Sequence, residues 1–489
     1  MKDVTVIGSG FAGLASATTL ASHGFNVRLL DKNSQVGGRA SQHSEAGFIF
    51  DKGPSWYWMP DVFEQYFNRF GKHPSDYYDL VRLSPSYRVF WEKDFTDIPA
   101  DLEDLKTLFE SWETGSAHQL DQFLREAEHK YRLSMQDLVY KPGLSPTEYA
   151  IPRLLGDVFS LSLFKPFNKY IRSKFRDPRI LSLLEFPVLF LGAKPSQIPS
   201  LYSLMNYADM KLGTWYPMGG FHEVAKGMAQ LAREMGVSIE LDTPVNHIDL
   251  THNPGAYIHA NGHSHHADVV VAGADYHHVD QHLLDPEFRN YNATYWNKRV
   301  LSPSSLLFFV GLNRKVPGLR HHNLFFDADF EKHTREIYDQ PSWPEQPLFY
   351  VCAPSVTDPS VASPGHENLF ILVPVAPGLD DTEETRERYY DLILDRLEKN
   401  LDMRIRGHEI YKRSYAHNDF KHDYNSFKGN AYGLANTLKQ TAFLRPSIRN
   451  KKARQLYYTG QLTVPGPGVP PSLISGQIVA DEIAKTYKQ

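Results

Sequence analysis

Apolar and polar positions alternate along this chain in two ways, one typical of buried strands and one typical of helices. Residues 4–7 (Val-Thr-Val-Ile) indicate a buried strand, and residues 26–31 (Asn-Val-Arg-Leu-Leu-Asp) indicate a second strand that ends in an acid. Residues 221–235 have the spacing of an amphipathic helix, and residues 267–275 indicate another buried parallel strand. A short apolar strand is expected at residues 456–460. Strands that alternate with helices predict an α/β fold with a parallel sheet.

Strand patterns of a second group fall between these elements. They occur at residues 305–312, 348–353 and 369–374 and are followed by a helix predicted over residues 383–401. We expect these strands to form a sheet over which a substrate lies.

The turn after the first strand is rich in glycine. Its residues are Gly8, Ser9, Gly10, Phe11, Ala12 and Gly13. Gly8 permits a tight turn, Gly10 lets backbone N–H groups approach a pyrophosphate, and Gly13 lets the helix pack closely on the strand. Asp31, at the end of the second strand, can accept hydrogen bonds from a ribose hydroxyl and would repel a 2′-phosphate, which disfavours NADPH.

Two segments beyond the second strand suggest which dinucleotide binds. Residues 37–40 (Gly-Gly-Arg-Ala) and 50–55 (Phe-Asp-Lys-Gly-Pro-Ser) have a spacing that resembles the amine oxidase and phytoene desaturase superfamily of flavoproteins. This resemblance implies FAD as the cofactor. Besides the first turn, the residues expected to bind it are Asp31, Lys32, Gly38, Arg39, Ala40, Gly53, Pro54, Ser55, Val245, Gly460, Gly468, Val469 and Pro470.

The far end of the chain sharpens the resemblance. Residues 459–470 are similar to the T-G-x-x-T-x-P-G-x-G-h-P signature of bacterial-type phytoene desaturases, and a helix is predicted from about residue 472 to 485. The chain departs from the family at Gly273, where an asparagine is usual. The resemblance implies FAD-dependent desaturation of phytoene toward lycopene, by hydride transfer from an allylic C–H to flavin and loss of a proton. The cofactor would carry the difficult step.

Other functions stay open from the sequence. The chain could be another carotenoid desaturase or an isomerase, acting for example on dehydrosqualene or a hydroxycarotenoid. It could also be a carotenoid-binding flavoprotein whose FAD is structural.

The distribution of these motifs predicts how the chain is divided. A Rossmann-like FAD-binding lobe would be discontinuous, built from residues 1–75, 215–280 and 450–489. Residues 80–214, after a strand near residue 87, would form a mostly helical insert that faces substrate and membrane. Residues 281–449 would form the sheet and helices of the substrate domain.

An aromatic run suggests where a substrate lies. Trp56, Tyr57 and Trp58 directly follow the Gly53-Pro54 turn, which approaches the flavin in the family. We therefore expect an aromatic, uncharged wall suited to phytoene and partly desaturated carotenes.

The chemistry-bearing side chains outside this run give weaker signals. Glu148, Arg153 and Asp157 are candidates for an acid–base helper, although surface charge is the commoner role of such residues, so no catalytic base is predicted. The histidine-rich run at residues 263–266 could ligate a metal, but it fits a hairpin and has no acidic ligand beside it. No metal is predicted.

Composition and charge exclude several classes of protein. The formal net charge is −5, which gives no basic surface for nucleic acid. The single cysteine, Cys352, rules out an internal disulfide, and from it we expect no cysteine-based zinc or iron–sulfur site. No second G-x-G-x-x-G lies between a strand and a helix, so we expect dioxygen or a membrane quinone to accept the electrons. Because the first strand starts near Met1, we expect no signal peptide and a cytoplasmic location.

Two apolar stretches suggest contact with a membrane surface without a spanning helix. They cover residues 154–167 and 180–191, and the second is interrupted by Glu185 and Pro187. The basic residues around them are Lys165, Lys169, Arg172, Lys174, Arg176 and Arg179. Basic residues that bracket an apolar helical face suit peripheral attachment, while an ordinary helical core is the alternative.

Overall fold

A computed structural model gives the fold, and it describes residues 2–150, 165–189, 192, 194–252 and 254–487. Two large sheets organise these residues, with helices packed on both. The architecture is mixed α/β, as the sequence predicts.

The first sheet is parallel and has five strands in the order β19-β13-β1-β2-β9. Its strands are β1 (Asp3–Ile7), β2 (Asn26–Leu30), β9 (Ser238–Glu240), β13 (Val269–Ala272) and β19 (Leu456–Tyr458). Each pattern predicted as a buried strand of this group is present. The sheet joins the start, middle and end of the chain, so this part of the fold is discontinuous in sequence.

The second sheet has seven strands in the order β18-β14-β17-β16-β15-β6-β7. Its strands are β6 (Tyr87–Phe90), β7 (Phe95–Ile98), β14 (Ser304–Leu312), β15 (His322–Phe325), β16 (Phe349–Cys352), β17 (Glu367–Val375) and β18 (Glu409–Tyr415). Strand β6 pairs with β15, so the two predicted inserts share one sheet. The sequence could not show this, because the pairing joins residues more than 200 positions apart.

The remaining strands of the described residues form three smaller sheets. β10 (Val245–Asp249), β11 (Ala256–Ala260) and β12 (His263–Ala267) form an antiparallel meander, β3 (Gln42–Glu45) pairs with β4 (Phe48–Asp51), and β5 (Leu80–Arg82) pairs with β8 (Trp215–Pro217). The histidine-rich run thus lies on a hairpin strand, as expected.

The α-helices of five or more residues in the described part of the chain are α1 (Phe11–Ser22), α2 (Pro60–Asn68), α3 (Leu102–Trp112), α4 (Ser116–Leu133), α5 (Phe167–Arg172), α6 (Pro178–Leu189), α7 (Leu204–Met210), α8 (His222–Glu234), α9 (Ala293–Asn297), α10 (Phe330–Tyr338), α11 (Glu383–Leu401), α12 (His417–Tyr424) and α13 (Val469–Tyr487). Helix α11 has the predicted bounds.

Helix α1 is buried on nearly every side because it lies between the parallel sheet and α13. Leu14, Ala17 and Leu20 are fully buried, and each such leucine contributes roughly 1.5–3 kcal/mol to stability. The two helices approach closely at Gly476, where a Cβ would lie 2.3 Å from the carbonyl oxygen of Ala12. Only glycine allows this contact, which holds the far end of the chain against the first turn.

The second apolar stretch packs inside the protein where the structure describes it. Ile180, Leu183 and Val188 of α6 are buried in the main hydrophobic core. Arg172 and Lys174 form ion pairs with Glu185 and Glu126 at 2.9 and 2.8 Å. These residues thus fit the core alternative better than a membrane-facing surface. The first stretch lies mostly outside the described residues, and no helix within them is both long and apolar enough to span a bilayer.

Candidate functional site

A cavity of about 690 Å³ extends from the carboxyl ends of the parallel strands to one face of the seven-stranded sheet. Ligands of open α/β sheets bind at this edge of the strands. The predicted cofactor residues that line it are Gly8, Gly10, Phe11, Ala12, Asp31, Lys32, Gly38, Arg39, Ala40, Gly53, Pro54, Ser55, Val245, Gly460, Gly468, Val469 and Pro470. Residues predicted from six separate segments therefore surround one space.

The glycine-rich turn shows why each glycine is needed. Gly8 has a φ of +100°, and its N–H donates to the carbonyl of Leu30 at 2.7 Å. A Cβ on Gly13 would lie 1.8 Å from the Gly8 oxygen, so α1 can pack here only without a side chain. A Cβ on Gly10 would meet no described atom within 4 Å. The absence of a side chain at Gly10 therefore leaves space for a ligand, whereas the absence of a side chain at Gly13 lets α1 pack against the turn.

Asp31 fixes the shape of this turn. Its Oδ2 accepts hydrogen bonds from the backbone N and the Oγ of Ser9, both at 2.6 Å, and its Oδ1 accepts from Asn33 N at 2.8 Å. Ser9 is thus buried behind the turn and does not line the cavity. A contact of Asp31 with ribose stays a prediction.

The middle of the cavity contains a buried cation. Arg39 donates to Ser426 Oγ at 3.1 Å and to the carbonyl of Asn430 at 3.4 Å, while its Nε has no hydrogen-bond partner among the described residues. Burial lowers the pKa of Arg39, and burial also raises the pKa of nearby Asp275 to about 6 despite the guanidinium. A diphosphate would supply the missing acceptors and charge. The residues present therefore fit a dinucleotide.

The loop from the far end of the chain is tied to the helix that follows it. Ser475 Oγ accepts a hydrogen bond from Gly460 N at 3.0 Å and lies 3.0 Å from Thr459 Oγ1 and from Thr463 Oγ1. These bonds hold the glycine- and proline-rich loop in place beside the cavity. Sequence reasoning missed Ser475, because it lies inside a helix pattern and its partners are 12 to 16 positions away.

The other end of the cavity is built by the seven-stranded sheet. Its residues there are Ser305, Leu307, Tyr350, Phe370 and Leu372. Residues two apart on a strand share a face, and Leu307 and Tyr350 both pair with Leu372, so they form a continuous row. None of the five sheet residues that the structure shows at the cavity carries a charge. This surface suits an apolar molecule.

Two of the three predicted aromatic residues line this end. Trp56 and Trp58 do so, and their rings lie 5.2 Å apart. Tyr57 does not: it is 1% exposed, its ring stacks on Phe63 at 4.4 Å and its hydroxyl lies 2.9 Å from that of Tyr78. The prediction for Tyr57 is wrong because neighbouring residues of an extended segment point in opposite directions.

Of the three acid–base candidates the structure describes Glu148, which does not line the cavity. Glu148 accepts hydrogen bonds from the backbone N–H groups of Gly143, Leu144 and Ser145 at 2.9, 2.9 and 3.0 Å. Glu148 therefore caps a short helical turn. This structural role corrects the prediction that Glu148 is a candidate acid–base helper. Arg153 and Asp157 lie outside the described residues.

Taken together, the glycine turn, the buried guanidinium and the second sheet define a flavoprotein of the amine oxidase type. The chain belongs to the family described as flavin containing amine oxidoreductase, which it matches over residues 11–484.

Within this class, the chain is a member of the carotenoid desaturase family. It is 40% identical to the carotenoid 3,4-desaturase of Haloarcula japonica over 484 residues, which covers 99% of this chain and 98% of that protein. It is 30% identical to the zeta-carotene-forming phytoene desaturase of Myxococcus xanthus over 491 residues, covering 99% and 94%. An oxidoreductase from Methanosarcina mazei has the same fold, with a TM-score of 0.63 at 17% identity over 98% of this chain and 100% of that one. The protein is an FAD-dependent oxidoreductase.

Proposed function

We propose that this protein desaturates carbon–carbon single bonds of an acyclic carotenoid. The observation that carries the proposal is the uncharged face of the seven-stranded sheet, which continues the dinucleotide half of the cavity without a break. A polar or charged substrate would leave its groups unpaired against Leu307, Phe370 and Leu372, at a cost of several kcal/mol. A hydrocarbon has no such cost.

The side chains have the tasks of holding the polyene and excluding water. When bound, FAD supplies the hydride acceptor. Trp56 and Trp58 lie on one side of the cavity and the row of Leu307, Leu372 and Tyr350 belongs to the sheet, so a chain between them would be held in a fixed orientation. Exclusion of water protects a cationic polyene from addition of water before it loses its proton.

The bond that reacts is the finer part of the proposal, and two choices are supported. The relative with 40% identity is a 3,4-desaturase, which favours a carotenoid that is already partly desaturated. The signature at residues 459–470 and the relative with 30% identity favour phytoene, with conversion toward lycopene. Because the first relative is the more similar of the two, we place 3,4-desaturation first.

A comparison of substrates tests this choice. The chain is expressed in cells that accumulate phytoene and, separately, in cells that accumulate lycopene, and the pigments are separated by chromatography. New double bonds only in the lycopene strain would support 3,4-desaturation, and lycopene formed in the phytoene strain would support phytoene desaturation. No change of pigment in either strain, with normal flavin content, would contradict desaturation.

We also propose that the protein attaches peripherally to the cytoplasmic face of a membrane, from which such a substrate would be delivered. An apolar rim of exposed side chains supports this: Leu144, Val300, Leu438, Phe443 and Leu444 are 38 to 49% exposed. Contacts tie two of these residues to neighbouring segments, since Val300 N donates to Gln440 at 2.9 Å and the Tyr149 ring lies 6.1 Å from Phe443. Lys298 and Lys439 lie next to it in the sequence, which suits an anionic surface.

Sedimentation with anionic vesicles tests the rim. Phe443→Asp with Leu444→Asp should abolish binding, whereas Ile410→Asp is a matched control. Ile410 is 50% exposed but lies near the opposite end of β14 from Val300. Equal binding of the rim variant and the control would contradict this placement.

The electron acceptor is proposed to be a membrane quinone, with dioxygen as the alternative. Attachment to a membrane would place the enzyme beside a quinone pool. The enzyme is reduced anaerobically and then mixed either with a soluble quinone in the absence of air or with air-saturated buffer. Recovery of the oxidised flavin spectrum that is faster with dioxygen would contradict the quinone.

A further inference from the structure

Behind the aromatic wall lies a cluster of three buried side chains that desaturation does not use. His321, His322 and Cys352 are 4%, 0% and 3% exposed. One potential ligand atom from each lies within 4.8 Å of the other two. His322 and Cys352 are paired across β15 and β16, and His321 precedes the first residue of β15, which lets its ring approach that of His322 with centroids 4.6 Å apart.

The two imidazoles keep one nitrogen each for a ligand. His321 Nδ1 lies 2.9 Å from Thr357 Oγ1, and His322 Nδ1 lies 2.6 Å from the hydroxyl of Tyr350. Neither Nε2 atom has a hydrogen-bond partner within the part of the chain that the structure describes. A buried polar atom without a partner costs about 1–3 kcal/mol, so two together need an explanation. Metal-binding histidines have this arrangement, with one nitrogen held by the protein and the other on the ion.

A buried negative charge lies beside the cluster. Asp358 is 1% exposed and accepts hydrogen bonds from Gly219 N at 2.6 Å, Tyr216 at 3.1 Å and both the N and Oγ of Ser360 at 2.8 and 2.6 Å. Burial raises the pKa of Asp358, but these hydrogen bonds outweigh it and leave the pKa below its ordinary value. Among the described residues, no lysine or arginine forms an ion pair with this carboxylate. A cation in the cluster would balance it.

We propose that His321, His322 and Cys352 bind one zinc ion. Two neutral imidazoles and one thiolate are ligands that zinc(II) prefers, and three protein ligands leave a fourth position for water. Binding releases the thiol proton of Cys352 to solvent. The dipositive ion, the thiolate and the Asp358 carboxylate then have no net charge together.

The ion would stabilise the wall of the substrate cavity. It joins β15 to β16, and the imidazole of His322 stacks on Trp56 with centroids 4.1 Å apart and planes 10° from parallel. His322 also contacts Tyr350, whose hydroxyl lies 2.9 Å from Ser55 Oγ at the cavity. Removal of the ion is therefore expected to loosen Trp56 and Tyr350 rather than the dinucleotide half.

The experiment measures metal content in the FAD-loaded protein. Protein expressed with added zinc is purified without chelator, and zinc and flavin are quantified in the same sample. We expect about one zinc per protein in the wild type. Cys352→Ser and His321→Asn should lose it with flavin content retained. His333→Asn is a matched control, because His333 is also buried but has both ring nitrogens engaged by the backbone.

A cobalt spectrum keeps the test decisive if a variant does not fold. Wild-type protein, freed of metal and then given Co²⁺, should gain a thiolate-to-cobalt absorption band that zinc displaces. Since Cys352 is the sole cysteine in the sequence, this band would identify Cys352 as a ligand of the metal ion. Zinc below a tenth of the protein concentration in the wild type, or absence of the cobalt band, would overturn the proposal. Neither result depends on carotenoid turnover, so the proposed function is tested separately.

Discussion

The two ends of the cavity are built by different means. The dinucleotide end consists of backbone turns, with Gly8 and Gly10 at the start of the chain and Gly460 and Gly468 near its end. The substrate end consists of side chains that the seven-stranded sheet and the segment at Trp56 bring together. Backbone sites need particular residues at fixed local spacing, whereas a hydrophobic wall tolerates many side chains of similar size. Substitutions at the two ends should therefore have different effects, on FAD binding or stability at the dinucleotide end and on desaturase activity at the substrate end.

The largest expected effects are at the glycine turn, where two glycines should fail differently. Gly13→Val places a side chain on the Gly8 oxygen and should destabilise the fold by about 3 kcal/mol. Gly10→Val meets open space, so thermal unfolding should be unchanged while FAD affinity falls at least about tenfold.

Thermal unfolding without added FAD and flavin content together check this pair. Normal flavin content in Gly10→Val would show that the diphosphate does not bind at this turn. Equal unfolding temperatures for the two variants would contradict the claim that Gly13 is needed for packing and Gly10 for FAD binding.

At the substrate end, Trp56→Glu should reduce desaturase activity by about 100-fold while FAD stays bound. An unpaired carboxylate against hydrocarbon costs several kcal/mol, or its pKa rises. Activity and flavin content are measured in one preparation. Trp56→Phe should recover most of the activity, and Trp91→Glu is a control because Trp91 is also half-buried but does not line the cavity. Loss of flavin in step with activity would mean that Trp56 stabilises both ends of the cavity and is not specific to the substrate end.

This contrast also explains what the sequence could predict. The dinucleotide end was predictable because its glycines lie between strand and helix patterns, and the structure has β1, β2, β13 and β19 at the expected positions. The substrate end was not, since the row of Leu307, Tyr350 and Leu372 exists only after distant strands pair. Tyr57 shows what a run of aromatic residues cannot predict. The run did not indicate whether the Tyr57 ring points to the cavity or to the core.

A smaller effect is expected at Arg39, in the middle of the cavity. Arg39→Met removes the buried cation and its hydrogen bonds, each worth about 1.5–3 kcal/mol to a charged acceptor, so FAD affinity should fall about 10- to 100-fold. Arg39→Lys keeps the charge and should lose less. Fluorescence titration of the protein stripped of FAD measures both. Unchanged affinity in Arg39→Met would indicate that the diphosphate lies elsewhere.

The smallest effect concerns pH. Burial raises the pKa of Asp275 to about 6, so this carboxyl is neutral below that pH and negative above it. Repulsion of the FAD diphosphate should therefore appear as pH rises through 6, and affinity should weaken by less than about tenfold between pH 5 and 8. Asp275→Asn should remove the dependence. Affinity that strengthens with rising pH would contradict the proposed position of the diphosphate.

The central claim is that the two ends act together, with FAD at one and a carotenoid at the other. Anaerobic mixing of the FAD-loaded enzyme with one equivalent of carotenoid in vesicles tests it, with lycopene and phytoene used separately. The account predicts that the absorption of oxidised flavin disappears in step with the rise of a longer-wavelength polyene band for at least one of them. Flavin that stays oxidised while carotenoid is bound would contradict it and indicate a carotenoid-binding protein with structural FAD.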